Sequence, residues 1–163
     1  MTIDDLDKTY HFCVSSGNIK EKNVDIELIK SLKIVADNGF EFISNVLKTI
    51  PKDSTYWTFV FRDHYESLRG LIEAYLLFDG IEADSHQCKN AYLCFKHPEL
   101  ELDWDFLEII RLKRNAINYR GKLLKYDDWN TLRLRFELHI SALKKELEKK
   151  LSHELINYSV GQK

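Results

Sequence analysis

The run from Trp57 to Phe78 constrains this chain most. Tyr65, Leu68, Leu71, Ile72, Tyr75, Leu76 and Phe78 recur at intervals of roughly three and four residues, with no break before Gly80, which is the signature of a helix. The WTFVF cluster at its start has strand-like content, but the continuing pattern extends the helix over it. So apolar a helix needs neighbours around it, which makes it the expected core of a helical bundle.

The flanking segments supply those neighbours. From Asp25, the residues Ile26, Ile29, Leu32, Val35, Phe40, Ile43, Val46, Leu47 and Ile50 form a long helical face interrupted by Asn38-Gly39, where the glycine either kinks the helix or admits a close neighbour. Thr2 is expected to cap a short first helix with Asp4 and Asp5 in its first turn, and 15–23 has turn composition. A further helix is expected from Ser85 to Lys96. A last long helix carries Leu132, Phe136, Ile140, Leu143, Leu147 and Leu151, capped by Asp127 or Asp128. Two prolines and six glycines are too few for many short strands and turns. The expected fold is therefore all-α: one domain over 1–151 built as an antiparallel, mostly up-and-down bundle of about five helices, with a frayed tail over 152–163.

The polar interest lies in Ile109 to Gly121. Trp104, Phe106, Leu107, Ile110 and Ile117 mark a helix, and Gly121 stands where a left-handed cap ends it. Arg111, Arg114, Asn115 and Asn118 fall within roughly a quarter to a third of the helix circumference, a polar stripe on its last turns. No acidic residue lies between Glu108 and Asp127, while Arg111, Lys113, Arg114, Arg120, Lys122 and Lys125 do. Such a patch suits phosphate contact by Arg111, Arg114, Arg120 and Lys122, with Asn115, Asn118 and Tyr119 able to touch sugar or base. Cations also gather at helix C-termini simply because they complement the macrodipole, a purely structural alternative. The net charge of −2 decides neither, since a nearly neutral total can conceal a polarised surface.

Arg114-Asn115, then three residues, Tyr119 and Gly121 resemble the signature of HEPN-domain proteins, a superfamily of small helical bundles. The segment from His64 through the turn made by Gly80, Ser85, His86 and Cys88 resembles the central helix pair of the same family, and the likeness spans 25–151. The resemblance implies a metal-independent endoribonuclease of toxin-antitoxin or defence type, with arginine and histidine of two protomers meeting in a homodimer cleft and a nucleotidyltransferase-type antitoxin as a credible partner. In this chain Tyr119 occupies the histidine position, and no histidine follows until His139.

That departure has a chemical consequence. Cleaving RNA through its own 2′-hydroxyl needs a proton acceptor, a proton donor and cations for the phosphorane oxygens. Arginine meets only the last need, and tyrosine, with an ordinary pKa of about 10, is a poor base at neutral pH. The roles implied are phosphate stabilisation by Arg114 and Arg111, orientation by Asn115, and imperfect substitution for histidine by Tyr119. The expectation is an RNA-associated protein whose nuclease activity is weak or lost. His86 is a secondary candidate, and Asp63 with His64 could position the motif arginine; Arg69 and Glu73 have the spacing of a surface pair. Two alternatives use the same residues: a catalytically inert homodimeric interaction module, and a bundle holding a small nucleotide through Arg114, Tyr119 and His86.

Cys13, Cys88 and Cys94 make an odd count without framework spacing, and no signal peptide or long apolar span is evident, so reduced thiols in a cytoplasmic, membrane-free setting are expected. His86, Cys88, Cys94 and His97 look like metal ligands when written in a line. On one helix, however, His86 and His97 would lie ~16 Å apart, too far to share a tetrahedral ion. No metal and no cofactor are expected.

Overall fold

The computed structural model describes residues 4–160, with side chains through 154. Seven α-helices and one two-stranded sheet occur among the described residues: α1 (Leu6–Ser15), β1 (Ile19–Glu21), α2 (Ile26–Val46), α3 (Trp57–Phe78), β2 (Ile81–Ala83), α4 (His86–Lys96), α5 (Trp104–Arg120), α6 (Tyr126–Asn130) and α7 (Arg133–Val160). The fold is all-α in character, and α3 has the bounds its periodicity predicts.

Short polar side chains set the helix starts. Asp5, Asp25, Ser85 and Asp103 each accept a backbone N–H from the first turn of α1, α2, α4 and α5. The expected cap Thr2 lies outside the described residues, and Asp5 does that work. The carboxylate of Asp128 accepts the Lys125 N–H, but this opens the short α6 rather than the long last helix. α7 follows separately and continues through the segment expected to fray, with 161–163 outside the described residues.

α3 sits at the centre, with Val60, Phe61, Leu68, Leu71, Ala74 and Leu76 fully buried. α2 runs against it at very close approach. A Cβ on Gly39 would stand 3.1 Å from Ser67 Oγ, and one on Gly70 would stand 3.3 Å from Ala36 Cβ. Of the two roles open to Gly39, the structure thus shows close approach to a neighbour.

α5 also runs antiparallel to α3, since Leu124 beyond its end bonds Thr58 while Arg114 reaches Glu66. α4 departs from the alternation and climbs alongside α3, from Tyr65 at His86 to Asp79 at Tyr92. That parallel course requires a return segment. Gly80, at φ 70°, turns the chain, and β2 runs back, pairing antiparallel with β1 in the register Ile19↔Ala83. The expected linker over 15–23 is therefore partly a strand.

Two pairings differ from expectation. Cys13 and Cys88 are joined in a disulfide between α1 and α4, and only Cys94 is free, so the expected reduced thiols are corrected. The cause is tertiary: α1 packs on α4, stacking Tyr10 on Phe95 and bringing the two cysteine Cα atoms to 5.7 Å across 75 residues of sequence. Arg69 pairs with Glu66 at 2.6 Å, not with Glu73, because Glu73 faces α4 and pairs with Lys89. No helix among the described residues is long and apolar enough to cross a membrane.

Candidate functional site

The polar stripe of α5 is organised from its buried end. Glu108, 1% exposed, accepts three contacts of 2.6–3.0 Å from Arg111 and a fourth at 3.1 Å from Gln87 of α4. Asn90 donates to the same carboxylate at 3.4 Å. Arg111 is thereby engaged through Nε and Nη2 in a structural pair whose carboxylate neutralises its charge.

One turn on, Arg114 lies against α3. Its Nη2 is 3.5 Å from Glu66 Oε1, and its guanidinium sits 5.9 Å from the centre of the Tyr65 ring. The Asn118 amide oxygen, turned to face it, accepts from Nε at 3.1 Å and Nη1 at 3.3 Å. Asn115 is half-buried beside this network. Tyr119 is outside it. Five positions beyond Arg114 it lies ~140° round the helix, and it is 78% exposed. Arg120 and Lys122 are exposed with it, on either side of the left-handed Gly121 that ends α5. The stripe thus divides into a braced arginine half and a solvent-facing tyrosine-lysine half.

The expected positioning role of Asp63 and His64 is corrected. His64 is buried with its Nδ1 donating to the Val60 carbonyl at 2.8 Å, packed among Phe40, Trp129 and Phe136, and burial pushes its pKa down to about 4. Asp63 is exposed towards α2. The residues that meet Arg114 are instead Tyr65 and Glu66, the next two along α3. Their helical phase against α5 is the reason, and a heptad-like alignment of α3 and α5 was the only sequence signal that could have singled them out.

His86 does join the constellation, from α4. Its Nδ1 lies 2.7 Å from the Tyr65 hydroxyl. Burial pushes the Tyr65 phenol up to about 12, opposed by Arg114, so the hydroxyl keeps its proton and can donate to a bare Nδ1, the tautomer that leaves the imidazole proton on Nε2, or accept from a protonated one. Burial, then Arg69, Arg114 and Lys89, hold the His86 pKa below its ordinary value and keep the ring neutral at pH 7. Tyr65, Arg69, His86, Lys89 and Asn90 rim a shallow crevice floored by Leu68, Ile72, Leu107 and Ile110, with an open volume of about 10 Å³ that holds one water, so that anything larger meets these side chains from outside.

A second concavity, of about 610 Å³, lies between 52–55 and 123–127. Lys52 covers the Tyr126 ring there at 4.9 Å, and Lys125 lines the wall, continuing the basic surface past Lys122.

The linear metal-like motif is dispersed in space. Cys88 is bonded to Cys13, Cys94 points its thiol at the Leu102 carbonyl, and His97 bridges Asp79 and Glu99 at 2.5 and 2.8 Å. No group of three or more candidate ligands converges among the described residues.

Comparison of the chain with protein-family models, with curated proteins and with solved structures finds no match.

Proposed function

We propose that this chain is an RNA-associated helical bundle of HEPN type, of a toxin-antitoxin or defence setting, in which the nuclease chemistry is weak or lost. The observation that carries this reading is the exposed end of α5, where the 78% exposed Tyr119 ring stands beside exposed Arg120 and Lys122. An aromatic face flanked by cations suits single-stranded RNA, whose bases stack on aromatic rings while the backbone follows positive charge. Lys125 and Lys52 extend the track into the neighbouring groove. Loss of cleavage follows from the same placement. Tyr119 stands in solvent outside the Arg114 network, and a phenol is intrinsically a poor base at neutral pH.

The test incubates the protein with labelled mixed-sequence RNA in chelator and follows retention and cleavage. Retention without appreciable cleavage is expected. Tyr119→Ala should weaken binding by about 1–3 kcal/mol, the usual worth of one stacked base. Arg120→Ala with Lys122→Ala should flatten the salt dependence by about 1.4 units of slope if each neutralises one phosphate of a single strand. Unchanged retention in all of these variants would remove the assignment. Efficient cleavage by the wild type would instead restore an endoribonuclease.

A second reading, the homodimeric interaction module, is favoured by one observation. Leu28, Val35 and Phe42 line the outer face of α2, 40%, 71% and 65% exposed. Sedimentation of the wild type against Val35→Glu/Phe42→Glu separates a dimer formed on this face from a monomer. A nucleotidyltransferase-type partner belongs to the same reading. The Cys13–Cys88 bond counts against the reduced state on which a cytoplasmic setting was expected.

A further inference from the structure

The cleft between α3, α4 and α5 has a composition that the RNA-associated reading does not use. Arg69 and Lys89 stand on its rim with Arg114 nearby, and the carboxylates that answer them are Glu66 and Glu73. Glu66 is shared, accepting from Arg69 Nε at 2.6 Å and meeting Arg114 Nη2 at 3.5 Å. Arg69 spends only its Nε on Glu66, leaving the paired Nη donors, the part of a guanidinium that matches two oxygens of a phosphate. Arg111 is neutralised separately by Glu108.

Among these cations stands His86. Its Nδ1 is taken up by the Tyr65 hydroxyl, and its Nε2 has no hydrogen-bond partner among the described residues. The ring stands on the rim of the cleft that already holds Arg69 and Lys89. The groups facing it are Tyr65, Glu66 and Arg69 from α3, Lys89 from its own helix, and Arg114 from α5. Four are polar donors and one is a carboxylate already engaged by two arginines.

We infer that His86, Arg69, Lys89 and Arg114 form a phosphoryl-binding site, with the Tyr65–His86 hydrogen bond fixing the imidazole tautomer that donates to the bound phosphate. The ligand chemistry is a phosphate ester dianion or monoanion, supplied by a mononucleotide or by a backbone phosphodiester. Binding is linked to protonation. In the empty cleft the surrounding cations disfavour the imidazolium, and a bound anion reverses that field. The His86 midpoint therefore rises on binding, and by reciprocity affinity rises as pH falls between the free and bound midpoints. A single linked proton limits the gain to about tenfold per pH unit.

The inference does not rest on RNA association, and the test separates the two. The His86 imidazole Cε1–H resonance of the full chain is followed by NMR while adenosine monophosphate and, separately, the dinucleoside monophosphate adenylyl-uridine are added across pH 5 to 8. The phosphodiester keeps one negative charge over that range, so its pH dependence belongs to the protein.

Saturable movement of the His86 resonance with an upward-shifted midpoint is expected for at least one probe. The response should weaken at least tenfold in Arg69→Ala and Arg114→Ala, and in His86→Gln, followed on backbone amide resonances around the cleft, the pH dependence of phosphodiester binding should vanish. A response to the monoester alone identifies a mononucleotide site, and a response to the diester identifies a backbone site. A static His86 resonance with both probes, or a pH dependence of phosphodiester binding kept in His86→Gln, would overturn the inference, and the wild-type spectrum decides even where a variant misfolds. Probe binding at His86 without retention of long RNA would sink the RNA reading and leave this site standing.

Discussion

Removing the Glu108 carboxylate should be among the most damaging single changes in the protein. Glu108 is 1% exposed and its partner Arg111 has only 16% of its side chain in solvent, so neither charge can be satisfied by water if the other is lost. Glu108→Ala leaves a guanidinium with its acceptor gone, together with the amides of Gln87 and Asn90 that donate to the same oxygens. Breaking a buried ion pair from one side costs about 3–5 kcal/mol, a large share of the ~5–15 kcal/mol that holds an ordinary domain together. For a chain of 163 residues this corresponds to a fall in melting temperature of roughly 6–20 °C.

Urea and thermal unfolding of wild type, Glu108→Ala, Arg111→Met and the double variant Glu108→Leu/Arg111→Met form the assay. The double variant should recover part of the loss, because apolar residues of similar volume replace both charges. Recovery stays incomplete by about 1–3 kcal/mol, the cost of the orphaned buried Asn90 amide. A Glu108→Ala loss below about 1 kcal/mol would refute the reasoning, since it would mean that the pair is solvated or that α5 shifts to expose it.

Three further outcomes are expected. His64 has a folded pKa of about 4 against an ordinary 6.5, so the unfolded chain binds the extra proton between those values and stability falls by on the order of 2–3 kcal/mol as pH drops from 6.5 to 4; a His64→Phe variant should lose that part of the pH dependence in urea titrations, and an unchanged profile would contradict the burial. Gly70→Leu should destabilise by about 1–3 kcal/mol, because even a Cβ there meets Ala36 Cβ at 3.3 Å and neither backbone can yield cheaply; a melting temperature equal to wild type would deny the close α2–α3 contact. Thiol titration of protein denatured without reductant should find one reactive cysteine per chain, Cys94, and three would show that Cys13 and Cys88 are not paired.

Much of the fold was legible because helices announce themselves locally. α3 takes its bounds from an apolar period that needs no partner to be recognised, and the cap Gly121 acts through its own backbone geometry. The three-residue strands β1 and β2 were not legible. Each is too short to show a period, and each exists only because the other lies beside it. The Cys13–Cys88 pairing was hidden for the same reason, with 75 residues between its ends.

The candidate site divides along the same line. The sequence by itself determined that cations and amides share the last turns of α5, since helical phase follows from residue spacing alone. Only the tertiary structure decided what those cations do. Packing of α4 commits Arg111 to Glu108, packing of α3 gives Arg114 to Glu66 and Tyr65 rather than to Asp63 and His64, and the parallel course of α4 brings His86 to the Tyr65 hydroxyl. Tyr119 is left in solvent. A side chain's chemistry depends on the charges and the dielectric within a few ångströms of it, and those are set by residues far away in the chain.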